Sequence, residues 1–504
     1  MTTLTALPRL NIYPRSVVAI DDAEYGLAQT RAGLELAILA KSADALSLRG
    51  FEGELGEAGG QTLLLGPSSP RNAAALRNHL PWLKPRTLGL HTSAGLGDRL
   101  GLATPGHVRA VRATGSALAP IFCQQSIREM TRTNRSPQQV MDDATWGIFQ
   151  EGWRKGVGAD ADHLKTTGDM DSCLASGYTF FTIDPGEHVD NSAEAATLAD
   201  LRAKLADLPW ERMDDKPTWL TSRYRNRSFK IEEHTIAFDE ASLLRAAIKY
   251  GKAVAHVAEM YRHLMKATGG WNCELEVSVD ETELPTSHAE HVYIAKELRR
   301  LGVHWVSLAP RYVGRFEKGV DYISPAGKIG ETEAFEADFE VHAAIARVLG
   351  PYKLSLHSGS DKFSVYPLAM KQTYGLIHLK TAGTSYLEAL HTLAQVDPAF
   401  FRALYVFARE RYDTDKASYH VSAQLARAPK PEDVSDADLP AVLNQFDARE
   451  IIHVTFGSVL TWRNADKSLR FCDRLMGFLR ANPEAYAANL EAHFIKHLKP
   501  FVAA

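Results

Sequence analysis

Several short stretches of this sequence combine carboxylate and imidazole side chains as metal sites and proton-transfer sites do. Glu187 and His188 follow a Pro-Gly pair, with more acidic residues close by in the same loop. Glu276 lies inside the apolar run CELEVSV, His357 ends the run YKLSLH, and Asp321 lies in FEKGVDYI. Neutral imidazole nitrogen and carboxylate oxygen are ligands that Zn, Mn, Ni, Co and Fe accept. These residues are therefore candidates for a site that holds one divalent cation, whose identity stays open.

The carboxylate of Glu276 is informative because strand alternation puts it on one face with Glu274 in an otherwise apolar segment. A buried carboxylate is costly unless it is paired or binds a cation. A salt-bridged interior layer is the alternative interpretation. Asp280 and Glu281 follow directly, and this density of acidic groups favours a metal or acid–base site. For His188 the alternative is a histidine in a surface loop.

Basic side chains accompany the acidic ones at the predicted strand ends. Arg311, Lys362 and Lys380 each follow or end a predicted strand. Several cations beside carboxylates suggest an anionic, polyol-like substrate, since guanidinium and ammonium groups bind carboxylates. Ordinary ion pairing is the alternative for each residue taken alone.

The elements that would position these residues are short apolar strands, each followed by a polar cluster and then by a helical pattern. A strand that ends in reactive residues and continues into a helix is the unit of a (β/α)8 barrel, whose chemistry lies at the C-terminal rim. We therefore predict an α/β fold with a TIM-like (β/α)8 barrel. The predicted strands are Thr87–His91, Pro120–Gln125, Asp160–Lys165, Tyr178–Asp184, Cys273–Val279, His304–Leu308, Lys353–His357 and Leu376–Lys380.

The remaining sequence predicts additions to this barrel. Residues 1–85 form an N-terminal αβ cap that includes a helical run over Glu24–Lys41. Residues 86–395 form the catalytic barrel, with a helical insertion after the fourth strand at about 192–270. Residues 396–504 form a helical C-terminal extension packed on the barrel. The long pattern over Glu240–Ala267 has apolar residues at helical spacing, which indicates an amphipathic helix.

The bulk composition excludes several classes of protein. The 504 residues include 57 basic and 61 acidic side chains, well mixed, with a net charge of −4, so no basic surface for nucleic acid is indicated. The four cysteines lie far apart, which is typical of a reducing compartment. No apolar run approaches the roughly 20 residues that span a bilayer. We expect a cytoplasmic protein, without nucleic-acid or membrane partners; a homo-oligomer is left open.

At these residues the chain resembles the tagaturonate epimerase family. The segments that carry the resemblance include GLGDRLGLATPGH, IDPGEHVDN, EVSVDETELPTSHAEH, APRYVGRFEKGVDYI, LSLHSGSDKFSVYP and HLKTAGTSYLEAL. They are long, occur in order and span about residues 88–395. The resemblance implies a TIM-barrel-like fold, a divalent cation, and interconversion of D-tagaturonate with D-fructuronate in hexuronate catabolism.

This reaction inverts a carbinol carbon that is β to the ketone. Retro-aldol cleavage with re-addition and exchange of the carbinol C–H proton are both possible routes, and both need a Lewis-acidic cation and two opposed proton-transfer groups. We predict that Glu187 is the base and Glu276 the opposing acid. His188 and His357 are the predicted metal ligands, with Asp321 as the third. Arg311, Lys362 and Lys380 are predicted to bind the substrate.

Two other functions remain alternatives at this stage. An aldolase acting on keto-sugar acids would use either a metal ion or Lys380 as a Schiff-base lysine, since burial at a strand end lowers the pKa of an amine. A non-catalytic sensor of sugar acids is disfavoured, because carboxylates at the rim would weaken the binding of an anion.

Overall fold

The computed structural model describes residues 3–31, 33–115 and 118–502, apart from the Ser418 side chain. The N-terminal part of the chain forms an antiparallel sheet. The elements are β1 (Asn11–Ile12), β2 (Val18–Ile20), β3 (Ala23–Thr30), β4 (Gly33–Ala40), β5 (Glu54–Ala58), β6 (Gln61–Pro67) and α1 (Pro70–His79). The strand order in the sheet is β1-β3-β4-β6-β5, and β2 pairs with β3.

The prediction of a helix over Glu24–Lys41 is wrong, because this segment is the hairpin of β3 and β4. Thr30 pairs with Gly33 across a tight turn, and Gly33 has a φ of +118°, which favours glycine. Strands buried on both faces have apolar residues at consecutive positions, so their pattern also fits a helix.

The chain then enters the first half of the barrel. The strands are β7 (Ser93–Gly95), β8 (Ala119–Ser126), β9 (Gly158–Leu164) and β10 (Phe180–Ile183), and the helices are α2 (Thr104–Ala113), α3 (Ile127–Thr133), α4 (Pro137–Glu151) and α5 (Thr167–Ala175). The first strand is β7 and not the predicted Thr87–His91. That segment is irregular because Gly89 is left-handed and because the amides of Leu88 and Gly89 donate to the Glu274 carboxylate.

Residues 184–273 form the insertion between the fourth and fifth barrel strands. Its elements are α6 (Leu198–Lys204), α7 (Pro217–Tyr224), β11 (Arg227–Ile231), β12 (His234–Phe238) and α8 (Glu240–Thr268). The predicted long helix is confirmed as α8. Asp239 caps its first turn by accepting a hydrogen bond from the Ser242 amide at 2.7 Å, and Gly269 ends it in the left-handed conformation.

The second half of the barrel closes the sheet. Its elements are β13 (Glu274–Ser278), α9 (His288–Arg300), β14 (Ser307–Ala309), α10 (Glu333–Leu349), β15 (Lys353–Leu356), α11 (Tyr366–Thr373), β16 (Ile377–Lys380) and α12 (Thr384–Val396). All eight strands are parallel, and β16 pairs with β7. The predicted TIM-like fold is therefore confirmed, and the carboxyl ends of all eight strands meet at one mouth.

A helical C-terminal region completes the fold, as predicted. It consists of α13 (Pro398–Asp415), α14 (Leu439–Val442), α15 (Phe446–Val454), α16 (Phe456–Thr461), α17 (Cys472–Ala481) and α18 (Pro483–Leu498). The helix α18 packs directly on α2, where a Cβ atom built on Gly106 would lie 2.5 Å from Cβ of Leu490. No helix in the described part of the chain is long and apolar enough to cross a membrane. The predicted boundaries at residues 85 and 395 remain predictions.

Candidate active site

A cavity opens at the C-terminal mouth of the barrel, with a volume of about 270 Å³. A smaller extension of about 40 Å³ continues from it toward the barrel axis and shares Lys318, His357 and Ser358 with it. The charged and polar groups that line the cavity include Arg128, Asp280, Glu281, Arg311, Lys318 and His357. Cationic and anionic side chains therefore face the same small space.

Strand β9 supplies three groups to the base of this mouth: Asp160, Asp162 and His163. The two aspartates share one face by strand alternation. The register between β9 and β10 shifts at this point, and His163 adopts a φ of +52°. This local departure from regular strand geometry turns the imidazole inward, where its Nδ1 lies 2.8 Å from Oδ1 of Asp162.

Lys380 ends β16 and holds the buried carboxylates together. Its Nζ lies 3.0 Å from Asp160, 2.6 Å from Asp162 and 2.8 Å from Glu276. Burial alone would lower the pKa of Lys380, but the three carboxylates raise it well above its ordinary value. The amine therefore stays a charged ammonium group at neutral pH.

Glu276 and His357 form a second buried pair beside this lysine. Oε1 of Glu276 lies 2.7 Å from Nε2 of His357, and the carboxylate is fully buried. Burial alone would lower the pKa of His357, but the carboxylates of Asp280 and Glu276 raise it to about 9. Glu276 thus reaches the cavity through His357 rather than directly.

The imidazoles of His163 and His357 both face Asp280. Oδ1 of Asp280 lies 3.2 Å from Nδ1 of His357 and 3.6 Å from Nε2 of His163. Ligand atoms of Asp162, His163 and His357 also lie within 4.8 Å of one another. Nε2 of His163 is buried and has no hydrogen-bond partner among the described residues. These residues fit a divalent transition-metal ion, and the structure holds several such groups of potential ligands.

The cations around the cavity differ in how they are held. Arg128 forms an ion pair with Glu281 at 2.5 Å, and Arg311 donates to the carbonyl oxygen of Thr282. Nζ of Lys318 donates to Oγ of Ser358 at 2.7 Å. Burial lowers the pKa of Lys318, which brings this amine closer to the range in which it can exchange a proton.

The structure brings together Glu276, His357 and Lys380 of the predicted site residues, and it places Arg311 on the cavity wall. It does not bring Glu187 or His188 to them. Asp184 accepts a hydrogen bond from the Gly186 amide at 2.8 Å, and the resulting turn directs the following residues outward.

Glu187 and His188 consequently lie against α8 on the outside of the mouth. The Glu187 side chain is 73% exposed and pairs with Lys165 at 3.0 Å. The ring of His188 stacks on His256 with a centroid distance of 4.1 Å. Glu187 and His188 therefore do not converge with Glu276 and His357, as the prediction of one shared site requires.

The side chains of Asp321 and Lys362 do not face the cavity but hold neighbouring loop segments together by hydrogen bonds. Oδ1 of Asp321 accepts hydrogen bonds from the amide and hydroxyl of Ser364, at 3.2 and 2.9 Å. The buried ammonium of Lys362 donates to the carbonyl oxygens of Glu317, Val320 and Ser360. The three hydrogens of the Lys362 ammonium are thus all used, and neither Asp321 nor Lys362 lines the cavity.

Sequence reasoning did not single out Asp160 and Asp162. The signal was present in the strand GADADHL, where two acidic residues alternate with alanines. This is the same pattern that drew attention to Glu276. The sequence makes His163 a further candidate metal ligand, with a hydrogen-bonded barrel histidine as the alternative. Asp280 stands out only as a neighbour of Glu276, because its approach to the histidines depends on how distant strands meet.

Comparison with known proteins gives a consistent result. The sequence model of the UxaE tagaturonate epimerase family matches residues 13–501. The tagaturonate/fructuronate epimerase of Thermotoga maritima is 44% identical over 427 residues, which are 85% of this chain and 84% of that protein. The native crystal structure of fructuronate-tagaturonate epimerase UxaE from Cohnella laeviribosi has a TM-score of 0.91 and 37% identity, covering 99% of this chain and 97% of that one. A structure of the same enzyme with two glycerol molecules has a TM-score of 0.90, also with 37% identity, covering 99% and 98%.

Proposed function

This chain belongs to the tagaturonate epimerase family, and on that premise we propose that it is an isomerase that interconverts D-tagaturonate and D-fructuronate. The observation that carries the proposal is the cavity at the barrel mouth. It presents Arg128, Arg311 and Lys318 together with Asp280 and Glu281. An anionic, hydroxyl-rich substrate needs both kinds of group, because its carboxylate binds cations and its hydroxyls donate to carboxylates.

A divalent cation fits the same mouth. We propose His163, His357 and Asp280 as its ligands, with Asp162 close by. The surroundings of His357 support this assignment. Its Nε2 lies 2.7 Å from Oε1 of Glu276, which leaves Nδ1 for the ion. Ligating histidines are usually oriented by a carboxylate on the ring nitrogen that does not bind the metal. A bound cation would act as a Lewis acid on substrate oxygens.

The roles of Glu276 and Lys380 follow from their burial. Glu276 orients His357, and Lys380 neutralises the carboxylates of Asp160, Asp162 and Glu276. Both are positioning residues in this proposal, so Glu276 acts neither as the acid nor as the base. Arg128 and Arg311 bind the substrate carboxylate.

Retro-aldol cleavage is the route we propose. The C–H bond of a carbinol carbon β to a ketone is not acidified by that ketone, whereas the bond between the α and β carbons can break with its electrons passing to the ketone. Glu281 takes the hydroxyl proton, the C–C bond breaks, and an enolate and an aldehyde form. Lys318 stabilises the enolate oxygen. Re-addition to the other aldehyde face forms the C–C bond again and returns the proton.

The Schiff-base aldolase alternative is less well supported for Lys380. A nucleophilic lysine must lose its proton, and the carboxylates around Lys380 raise its pKa. If borohydride with a keto-sugar acid adds mass at Lys380, this lysine is nucleophilic after all. A metal-dependent aldolase would share the cleavage step but release the two fragments.

The direct test is NMR of the purified chain with D-fructuronate in D2O. We expect a mixture with D-tagaturonate and no deuterium at the inverted carbon, since the retro-aldol route keeps that C–H bond. Absence of interconversion would reject the activity. Deuterium at the inverted carbon would reject the route, and accumulation of two fragments would favour the aldolase.

Removal of the cation is a separate test. Treatment with EDTA followed by gel filtration should abolish interconversion, and one of Zn2+, Mn2+, Ni2+, Co2+ or Fe2+ should restore it. Full activity in a chain shown by metal analysis to be free of ions would remove the cation from the proposal while leaving the epimerase activity in place.

A further inference from the structure

Outside the barrel mouth, α9 and α10 bring a second set of imidazole and carboxylate groups together. His288 and His291 lie three residues apart on α9, and Asp338 and His342 lie four apart on α10, so each pair shares one helix face. Oδ1 of Asp338 lies 3.1 Å from Nε2 of His288 and 3.7 Å from Nε2 of His342. None of the four lines the cavity described above.

The imidazole of His342 is incompletely satisfied. It is fully buried, and its Nε2 has no hydrogen-bond partner among the described residues. A buried polar atom without a partner costs about 1–3 kcal/mol. This nitrogen faces the carboxylate of Asp338 at a distance too long for a hydrogen bond.

The other nitrogen of the His342 ring is part of a buried chain. Nδ1 of His342 lies 2.8 Å from Nδ1 of His291, and Nε2 of His291 lies 2.7 Å from the hydroxyl of Tyr352. One of the two facing nitrogens must carry a proton and the other accept it. When His342 is the donor, its Nε2 has a free lone pair directed toward Asp338.

We propose that His288, Asp338 and His342 bind a divalent transition-metal ion, for which Zn2+ is the best match. Tetrahedral zinc holds nitrogen and oxygen ligands at about 2.0–2.2 Å, which places neighbouring ligand atoms roughly 3.3 Å apart. The two distances from Asp338 bracket this value. The His288 side chain is 34% exposed, so an ion can enter from solvent, and water can occupy the fourth position.

The ring of His342 is fully buried, and a hydrogen bond to its other nitrogen sets its position. The chain through His291 to Tyr352 fixes the ring, as outer hydrogen bonds do in known metal sites.

Asp338 also connects this site to the barrel mouth. Its Oδ2 accepts a hydrogen bond from the amide of Val313 at 3.2 Å. The residues on either side, Tyr312 and Gly314, line the cavity. An ion held by Asp338 would therefore fasten α9 and α10 to one wall of the cavity, and its role would be structural rather than catalytic.

The alternative to this proposal is the opposite placement of the protons in the hydrogen-bonded chain of His342, His291 and Tyr352. His291 would then donate to His342, and Nε2 of His342 would carry a proton and have no lone pair for an ion. The backbone of Thr286 also faces the His342 ring. A measurement of metal binding distinguishes the two arrangements.

The experiment uses the full chain, stripped with EDTA, equilibrated with Zn2+, freed of unbound ion and measured by metal analysis. We expect His288→Gln and Asp338→Asn each to bind one ion fewer per chain than the wild type. The control His304→Gln, an exposed histidine of the following loop, should bind as many as the wild type. These two substitutions should leave the fold intact, because the His288 side chain is half-exposed and because asparagine keeps the shape of the Asp338 side chain.

A third variant separates this site from the proposed catalytic ion. His357→Gln should retain one ion, and the double variant His288→Gln with His357→Gln should bind none. Zinc should also raise the melting temperature of His357→Gln but not of the double variant. Unchanged binding in His288→Gln and Asp338→Asn, or complete loss of zinc in His357→Gln, would overturn the α9–α10 site. Unchanged binding in His357→Gln would instead count against the catalytic ion alone.

Discussion

At the scale of single residues, Lys318 is the group whose removal should most directly affect turnover. Its ammonium lies on the cavity wall and has a pKa lowered by burial. We expect Lys318→Met to reduce kcat about 100-fold or more, the usual effect of removing a group that stabilises a developing oxyanion. Lys328→Met, at an exposed lysine that pairs with Glu331, should retain wild-type kcat. A Lys318→Met enzyme with normal turnover would remove this residue from the mechanism.

Lys380 should matter for stability as well as for the site. Its removal leaves Asp160, Asp162 and Glu276 buried together without their shared cation. Breaking a buried ion pair from one side typically costs about 3–5 kcal/mol. We expect Lys380→Met to lower the free energy of unfolding in urea by at least this amount, whereas Lys371→Met, at an exposed position of α11, should change it little. Equal midpoints for the two variants would contradict the role of Lys380.

At the scale of elements, the contact between α2 and α18 depends on one glycine. A Cβ atom at Gly106 would meet Leu490 and the carbonyl oxygen of Ala487. We expect Gly106→Ala to lower the free energy of unfolding by about 1–3 kcal/mol, the usual cost of overpacking. Gly477→Ala in α17 is the matched control, since no atom of the described residues lies within 4 Å of its added methyl group. This substitution should stabilise the folded state by about 0.5–1 kcal/mol. Thermal unfolding of both variants measures the difference.

The elements also show what sequence patterns can and cannot predict. The helix α8 was predictable because its amphipathic spacing runs over many turns. The β3–β4 hairpin was not, because fully buried strands lose the alternation that identifies them. Seven barrel strands were placed by their apolar runs, whereas the first, β7, consists of Ser93, Ala94 and Gly95 and has no apolar run of its own.

The candidate site was only partly predictable for a related reason. Glu276, His357 and Lys380 end or occupy regular strands, so alternation gives their direction. Glu187 and His188 follow a strand by a few residues, and their direction depends on a turn at Asp184 and Gly186 that spacing does not reveal. The inward orientation of His163 depends on a left-handed residue within a strand.

At the scale of the whole molecule, a pair of carboxyl groups joins the C-terminal helices to the barrel mouth. Glu450 of α15 and Glu317 of the cavity wall both lie buried beside the backbone of Ser422. Burial, followed by the charge of Glu317, raises the pKa of Glu450 to about 9. The folded chain therefore holds a proton here that the unfolded chain releases at a lower pH.

This difference makes the folded state less stable as pH rises from about 4.5 toward 9, because the unfolded state binds fewer protons over that range. We expect Glu450→Gln to remove part of this dependence, by at most about 1.4 kcal/mol per pH unit. The exposed Glu410→Gln variant of α13 should keep the wild-type slope. Urea unfolding at pH 5, 7 and 8.5 compares the slopes, and parallel curves for Glu450→Gln and wild type would contradict the shared proton.

The ammonium of Lys362 has a consequence for motion. All three of its hydrogens are held by carbonyl oxygens, two from the segment after β14 and one from the segment after β15. Separating these segments would leave a buried positive charge without hydrogen-bond partners, so we expect this side of the entrance to move as a rigid unit. Substrate admission would then depend on the rest of the rim, where the paired side chains of Arg128 and Glu281 are half-exposed.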